Sequence, residues 1–274
     1  MLGYGLSTGV ISSLTKKYSP EQVTVYRNFF VSLILLVALL FYLPSSNFDV
    51  TFIVLVFGIA VLGYFSVKYL FNALRVGKVG VVSPISNSAV VLTVLLSVIF
   101  FKEQLSLLQV VAIALVIFGV LLNSVDFKHF RESNIFDKRS GVAYALVTFV
   151  LWGFIFFFSK IHVSVLGPFL SAFLIELGIL VYSYLDIRVS KMRLKRVSSK
   201  ELFLFIVSAV LAAAGTLFYN LGVQVGVVSI VAVLSFSNPI AATFYSKVVN
   251  KETLKLKEIA ALILIVLGVA LVTF

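Results

Sequence analysis

The chain has no cysteine, two histidines and only eleven acidic residues in a length of 274. Without cysteine there are no disulfides, no thiolate nucleophile and no thiolate-held metal, and two histidines are too few for an independent zinc site. The sequence also lacks an HExxH pair, a Walker motif, a glycine-rich loop between strand and helix, and a supported Ser-His-Asp set. The reading is therefore no enzyme, no cofactor and no ATP-driven pump within this one chain. Charged residues are scarce as well, at 12%, while hydrophobic residues reach 61%. Soluble domains are about a quarter charged and about half apolar, so a large soluble domain is excluded and a multi-pass membrane protein is expected.

The excess of basic residues, a formal charge of +11, would suggest a nucleic-acid partner in a soluble protein. Beside apolar segments it marks a cytoplasmic face or contact with anionic headgroups, so the expected partners are the lipid bilayer and a small molecule, with no nucleic acid. The cell membrane is the expected location, with the protein a monomer or homodimer. Apolar runs between charged or Pro/Gly/Ser breaks define ten segments, at about 2–14, 23–42, 50–74, 79–101, 107–125, 141–158, 165–185, 202–223, 227–249 and 259–274. None alternates as a barrel strand does, and an isolated span in lipid satisfies its backbone only as a helix. The fold class expected is all-α integral membrane with about ten transmembrane helices. The first segment is short for a span of roughly 20 residues and carries no signal-peptide pattern, so it is either a short helix or one whose natural start lies upstream.

A shift of 149 residues superposes the chain on itself. Lys102-Glu103 falls on Lys251-Glu252, and Gly119-Val120 falls on Gly268-Val269. Nine of the 21 positions from Lys102 to Leu122 are identical, without a gap. Gly77 pairs with Gly226, and Ser86 and Ser88 with Ser235 and Ser237. The chain thus divides into a first repeat (1–125), a polar connection (126–140) and a second repeat (141–274). Five helices per repeat is odd, so the second copy enters the membrane from the opposite side, and inverted repeats are the usual construction of secondary transporters.

Polar residues inside the spans supply the candidate site. Glu176 is the one acidic residue well inside an apolar run. A buried ionisable group there is a functional hypothesis, here a coupling proton, set against a structural partnership with a neighbouring helix. The repeat shift places Arg27 opposite Glu176, but inversion puts the two at different faces, so no salt bridge between them is expected. Lys68 either snorkels towards the Arg75 end of its helix or binds an anionic substrate. Tyr64, Tyr69 and Asn72, the series Ser83, Pro84, Ser86, Asn87 and Ser88, the trio Thr216, Tyr219 and Asn220, and Ser235, Ser237, Asn238 and Pro239 form two repeat-related polar sets, each near a proline that frees a backbone carbonyl. They read as the two sides of a central pocket, against the alternative of interhelical hydrogen bonds in a dry interface. Trp152 adds an aromatic wall or a lipid-facing stripe. Lys102-Glu103 and Lys251-Glu252 are read as local helix-end partners, Gly119 and Gly268 as close-packing sites, and Gly77 and Gly226 as tight-turn glycines or hinges.

These residues carry a resemblance. Phe71-Asn-Ala-Leu-Arg-Val-Gly, a proline-bearing small-residue helix, Phe100-Phe-Lys-Glu-Gln-Leu-Ser and Gly119-Val-Leu-Leu, repeated as Tyr219-Asn-Leu-Gly-Val-Gln-Val-Gly, Ser237-Asn-Pro-Ile, Asn250-Lys-Glu-Thr-Leu and Gly268-Val-Ala-Leu, resemble the drug/metabolite transporter superfamily, EamA type. Leu151-Trp-Gly with Lys160 is similar to that family's opening helix, whereas Tyr4-Gly5 or Gly9 stands in for Trp-Gly in the first repeat. The resemblance implies ten helices in two inverted repeats around a cavity, and transport, often export, of small metabolites such as amino acids. A sugar-phosphate or nucleotide-sugar exchanger, with Lys68 and Arg75 as its cations, and a non-transporting scaffold are the rivals. Eighteen Lys/Arg fall in loops after odd-numbered helices and only Lys102 and Lys160 on the other face. The positive-inside rule then puts both termini outside, whereas the resemblance implies both inside; the charge asymmetry takes precedence in this reading.

Overall fold

In the computed structural model, residues 2–42, 48–77, 82, 85–124, 141–237 and 256–272 are described. Ten helices and no strand occur among them: α1 (Leu2–Thr15), α2 (Pro20–Tyr42), α3 (Val50–Val76), α4 (Ala89–Phe100), α5 (Leu107–Ser124), α6 (Val142–Leu166), α7 (Pro168–Val189), α8 (Ser199–Val225), α9 (Val228–Phe236) and α10 (Leu256–Val272). Five of them, α2, α3, α6, α7 and α8, are long and apolar enough to cross a membrane. Their apolar residues are found on every face, as expected where lipid rather than water surrounds the bundle.

Helix starts follow local polar chemistry. Ser19 and Gln22 exchange backbone-to-side-chain hydrogen bonds at the start of α2, Ser106 and Gln109 do so at α5, and Ser198 and Glu201 form the same reciprocal cap at α8. Asp49 accepts from Thr51 N at 2.8 Å and Phe52 N at 3.2 Å to open α3. Each of these side chains occupies amide donors that have no partner in the first helical turn.

The sixth segment does not end at Phe158 as its polar residues suggested. α6 runs on to Leu166 because Lys160 donates to the α8 carbonyls of Val223 (2.9 Å) and Gly226 (3.3 Å), and His162 is buried. Gly167, at φ 78°, then stops it, and Pro168 starts α7 where its missing N–H costs nothing. Gly77 and Gly226 both have extended backbones, which corrects their reading as tight-turn glycines. Gly141 is the glycine the junction needs. It sits at φ 74°, and a Cβ there would lie 2.7 Å from the Ala73 carbonyl at the end of α3.

Helices of one half pack on those of the other: α2 on α7, α4 on α9, α5 on α10, α1 on α8 and α3 on α6. The α5–α10 contact is reciprocal. A Cβ on Gly119 would meet Ile265 and the Ala261 carbonyl, and one on Gly268 would meet Val116 and the Ala112 carbonyl. As one helix index rises the other falls, so the pair runs antiparallel. The two glycines therefore let backbones of the same molecule approach, the role small residues play between helices in lipid. α2 and α7 also run antiparallel, with Asn28 beside Glu176 near one end of the contact and Tyr42 stacked on Phe169 at the other.

Candidate functional site

The turns between α1 and α2 and between α7 and α8 lie side by side at one end of the bundle, the basic end. The 101–106 turn, Gly167 and Gly226 lie at the opposite end. Between them, four helices converge on one carboxylate. Glu176, buried on α7, accepts from Asn28 Nδ2 of α2 at 2.7 Å and from Thr216 Oγ1 of α8 at 2.7 Å. Thr216 in turn accepts from the Tyr4 hydroxyl of α1 at 3.0 Å. Arg27, next to Asn28, interacts electrostatically with Glu176, although no ion pair within 4 Å joins them among the described residues.

Two atoms here have no partner: Arg27 Nε and Asn28 Oδ1 are buried without a hydrogen bond. Buried polar atoms are normally satisfied, so an unpaired donor and an unpaired acceptor beside a charge make this centre chemically incomplete. The expectation that Arg27 and Glu176 lie at different faces is corrected by this geometry. Equivalent residues of two related helices are far apart only when they are far from the point where those helices meet, and α2 and α7 meet here.

An aromatic wall adjoins the centre. Phe156 of α6 makes edge contacts with Tyr4, Tyr219 and Phe236, and Trp152, one turn away, packs on Phe236. Tyr219 donates to the Phe156 carbonyl at 2.9 Å, which fixes α8 against α6. Trp152 belongs to this interior wall, packed against two separate core clusters.

A second polar cluster sits nearer the basic end. Lys68 of α3 pairs with Glu21 of α2 at 3.0 Å and with Asp186 of α7, and Tyr64 donates to the same Asp186 carboxylate. Ser190 adds a bond to Asp186 at 3.1 Å. Lys68 is thus neither snorkelling freely nor an uncommitted anion receptor; two carboxylates hold it. Its partners lie far away in sequence, and nothing in the spacing pointed to them.

At the opposite end Glu103 accepts from the α9 amides Val228 N (2.7 Å) and Ser229 N (3.2 Å), and from the Ser229 hydroxyl. The helix-dipole reading of Glu103 holds in kind, but the helix is corrected: it is α9 in the other half, while Ser106 and Gln109 cap the helix that follows Glu103 in sequence. With Lys160 on the last α8 carbonyls, both sides of the Gly226 junction are matched to their helix ends.

The other expected site residues scatter. Asn220 donates to the Pro168 carbonyl at 3.3 Å, Ser237 to the Val233 carbonyl at 2.8 Å, and the buried Ser86 hydroxyl has no partner among the described residues. Asn72 and Asn87 are half-buried. Asn238, Ser83, Pro84, Pro239, Lys251 and Glu252 lie outside the described residues. The structure brings Glu176 together with Thr216 and, through Phe156, with Tyr219 and Trp152. It adds Tyr4, which had stood out only as a stand-in for the family's Trp-Gly, Arg27, marked only by its repeat alignment with Glu176, and Asn28, which gave no sequence signal.

The described residues thus form a helical bundle, five of whose helices are long and apolar enough to cross a membrane, around a buried, incompletely paired charge. The EamA-like transporter family matches residues 1–125 and 139–274, and the chain belongs to that family, within the drug/metabolite transporter superfamily. A solved structure described as "Crystal structure of protein" matches at a TM-score of 0.75 and 20% identity, covering 100% of this chain and 97% of the other; at that identity it supports the fold. An uncharacterized protein of Methanocaldococcus jannaschii is 42% identical over 57 residues, 21% of this chain. The match spans 42% of that relative's length.

Proposed function

We propose that the protein is a secondary transporter that exports a small polar or amphipathic metabolite, such as an amino acid, by alternating access. Residues 1–125 and 141–274 act as two inverted five-helix repeats, giving ten spans in the cell membrane, and the basic end faces the cytoplasm. The antiparallel, reciprocal α5–α10 packing and the meeting of repeat-equivalent Arg27 and Glu176 support this arrangement. An exchange of conformation between inverted halves exposes a shared centre first to one side and then to the other.

The observation that carries the reading is Glu176 itself, buried among α1, α2, α7 and α8 with an unpaired acceptor beside it. As a carboxylate it takes two hydrogen bonds, from Asn28 and Thr216. Once protonated it needs an acceptor, and Asn28 Oδ1 is the one available after an amide flip. Glu176 therefore has partners for both protonation states, which suits a coupling proton. Substrate binds alongside, against Trp152 and Tyr219. Asn72, Ser86, Asn87, Asn220 and Ser237 are further candidates for contact with substrate along its path, whereas Tyr64 and Lys68 are taken up by Asp186 and Glu21; Asn238 lies outside the described residues. The unpaired Arg27 Nε favours a substrate with an anionic group and keeps a sugar-phosphate exchanger as the second reading.

Purified protein in liposomes, offered labelled amino acids, nucleosides and sugar phosphates, tests the proposal. Saturable uptake of one class is the expected result. A folded preparation that takes up none of them would favour a non-transporting scaffold.

A further inference from the structure

The segment 190–198 joining α7 to α8 is fixed at three levels. Its first residues close α7: Ser190 N and Lys191 N bond to the Asp186 and Arg188 carbonyls, and Lys191 takes φ 51°. Its last residue, Ser198, makes the reciprocal cap with Glu201 that opens α8. Between them α2 and its leading turn grip the backbone. Gln22 donates to the Arg193 carbonyl at 2.6 Å, Tyr26 to that of Lys195 at 2.6 Å and Tyr18 to that of Arg196 at 3.4 Å. Val197 packs into the core around Tyr18 and Phe205.

The charges of this strap are left over. From 186 to 201 the acidic residues are Asp186 and Glu201, and both are used inside the protein: Asp186 by Lys68 and Tyr64, Glu201 by Lys17, Tyr18 and Ser198. Lys191, Arg193, Lys195 and Arg196 of the strap, and Lys200 just after it, are all exposed, and none makes an ion pair among the described residues, whereas Arg188 on α7 is held by the Tyr184 hydroxyl and ring. Just below them, Leu185 and Val189 on the last turns of α7 are exposed, as is Leu194 in the strap. Five cations with no ion pair among the described residues, four of them in the strap, thus sit on or beside a pinned backbone at the edge of an apolar belt.

We infer that this strap is a binding site for anionic phospholipid headgroups in the leaflet it faces. The apolar residues beneath it meet acyl chain, and the cations above meet phosphate. A cation beside an anionic membrane surface is drawn to it over a range of about one Debye length. Because Gln22, Tyr18 and Tyr26 already order the strap, binding does not have to order it.

Native mass spectrometry of the full chain in dodecyl maltoside, titrated with phosphatidylglycerol or phosphatidylcholine, tests the site. The wild type should bind phosphatidylglycerol at least about tenfold more tightly than phosphatidylcholine. Arg193→Gln with Arg196→Gln should lose that preference by roughly tenfold. Arg75→Gln with Lys102→Gln, an equal loss of exposed charge elsewhere, should keep it. Equal binding of the two lipids by the wild type, or equal losses in the two double variants, would overturn the assignment. So would full displacement of the lipid by glycerol 3-phosphate at the same headgroup concentration, which would make a soluble anion the ligand.

Discussion

The centre around Glu176 and the cluster around Lys68 both bury ionic groups between α2 and α7, yet they are built on opposite plans. At Lys68 every charge has a partner: one ammonium faces two carboxylates, and Tyr64 and Ser190 take up further lone pairs. At Glu176 the carboxylate is held by neutral donors, and among the described residues the nearby guanidinium forms no ion pair and two polar atoms have no bond. The first arrangement holds three helices together. The second leaves two buried polar atoms unpaired among the described residues, and the proposed transport role rests on them. What separates the two is the pairing of their polar atoms, not the presence of charge.

Substitutions at the two places should separate these roles, and the largest effect is expected at the centre. Glu176→Ala leaves the Asn28 amide and the Thr216 hydroxyl without their acceptor, at about 1–3 kcal/mol for each buried donor left unsatisfied, read as a fall in thermal stability in detergent. Gly119→Val and Gly268→Val should come next. Each forces side chain into a facing backbone and should cost about 1–3 kcal/mol, with the two losses similar because the contact is reciprocal; a large inequality would break the equivalence of the halves. Lys68→Met, at a partly exposed pair, should cost about 1–2 kcal/mol, and adding Asp186→Asn should recover part of it, since the double variant has one unmatched carboxylate fewer. Smallest is Tyr4→Phe, which removes one hydrogen bond to Thr216 and should cost about 0.6 kcal/mol, the average for such bonds between helices in a membrane.

Much of the architecture was legible in the chain because lipid imposes a simple code. Apolar runs gave the helices, and the shift of 149 gave the glycines at 119 and 268 that touch the partner helix. The reciprocal caps at Ser19, Ser106 and Ser198 emerge only with the structure's hydrogen bonds. The α6 end was not legible, since Lys160 and His162 look like an exit from the membrane until the α8 carbonyls and the core around them are in place. The site was legible only in part. Glu176 stood out by its surroundings, and Thr216 by its repeat-related polar set. Asn28 gave no such signal, and Arg27 was set aside because inversion was taken to mean separation. Lys68 looked free because Glu21 and Asp186 reach it only through the packing of α2 and α7 on α3.

The most direct test places the two regions side by side. Liposomes containing wild type, Glu176→Gln or Lys68→Met would be compared for uptake of the transported substrate with and without an imposed pH gradient. The account predicts uptake that the gradient accelerates in the wild type, that Glu176→Gln abolishes, and that Lys68→Met preserves in its gradient response. A Glu176→Gln protein that still transports and still answers the gradient would contradict it, and would make the centre a structural junction like the cluster at Lys68.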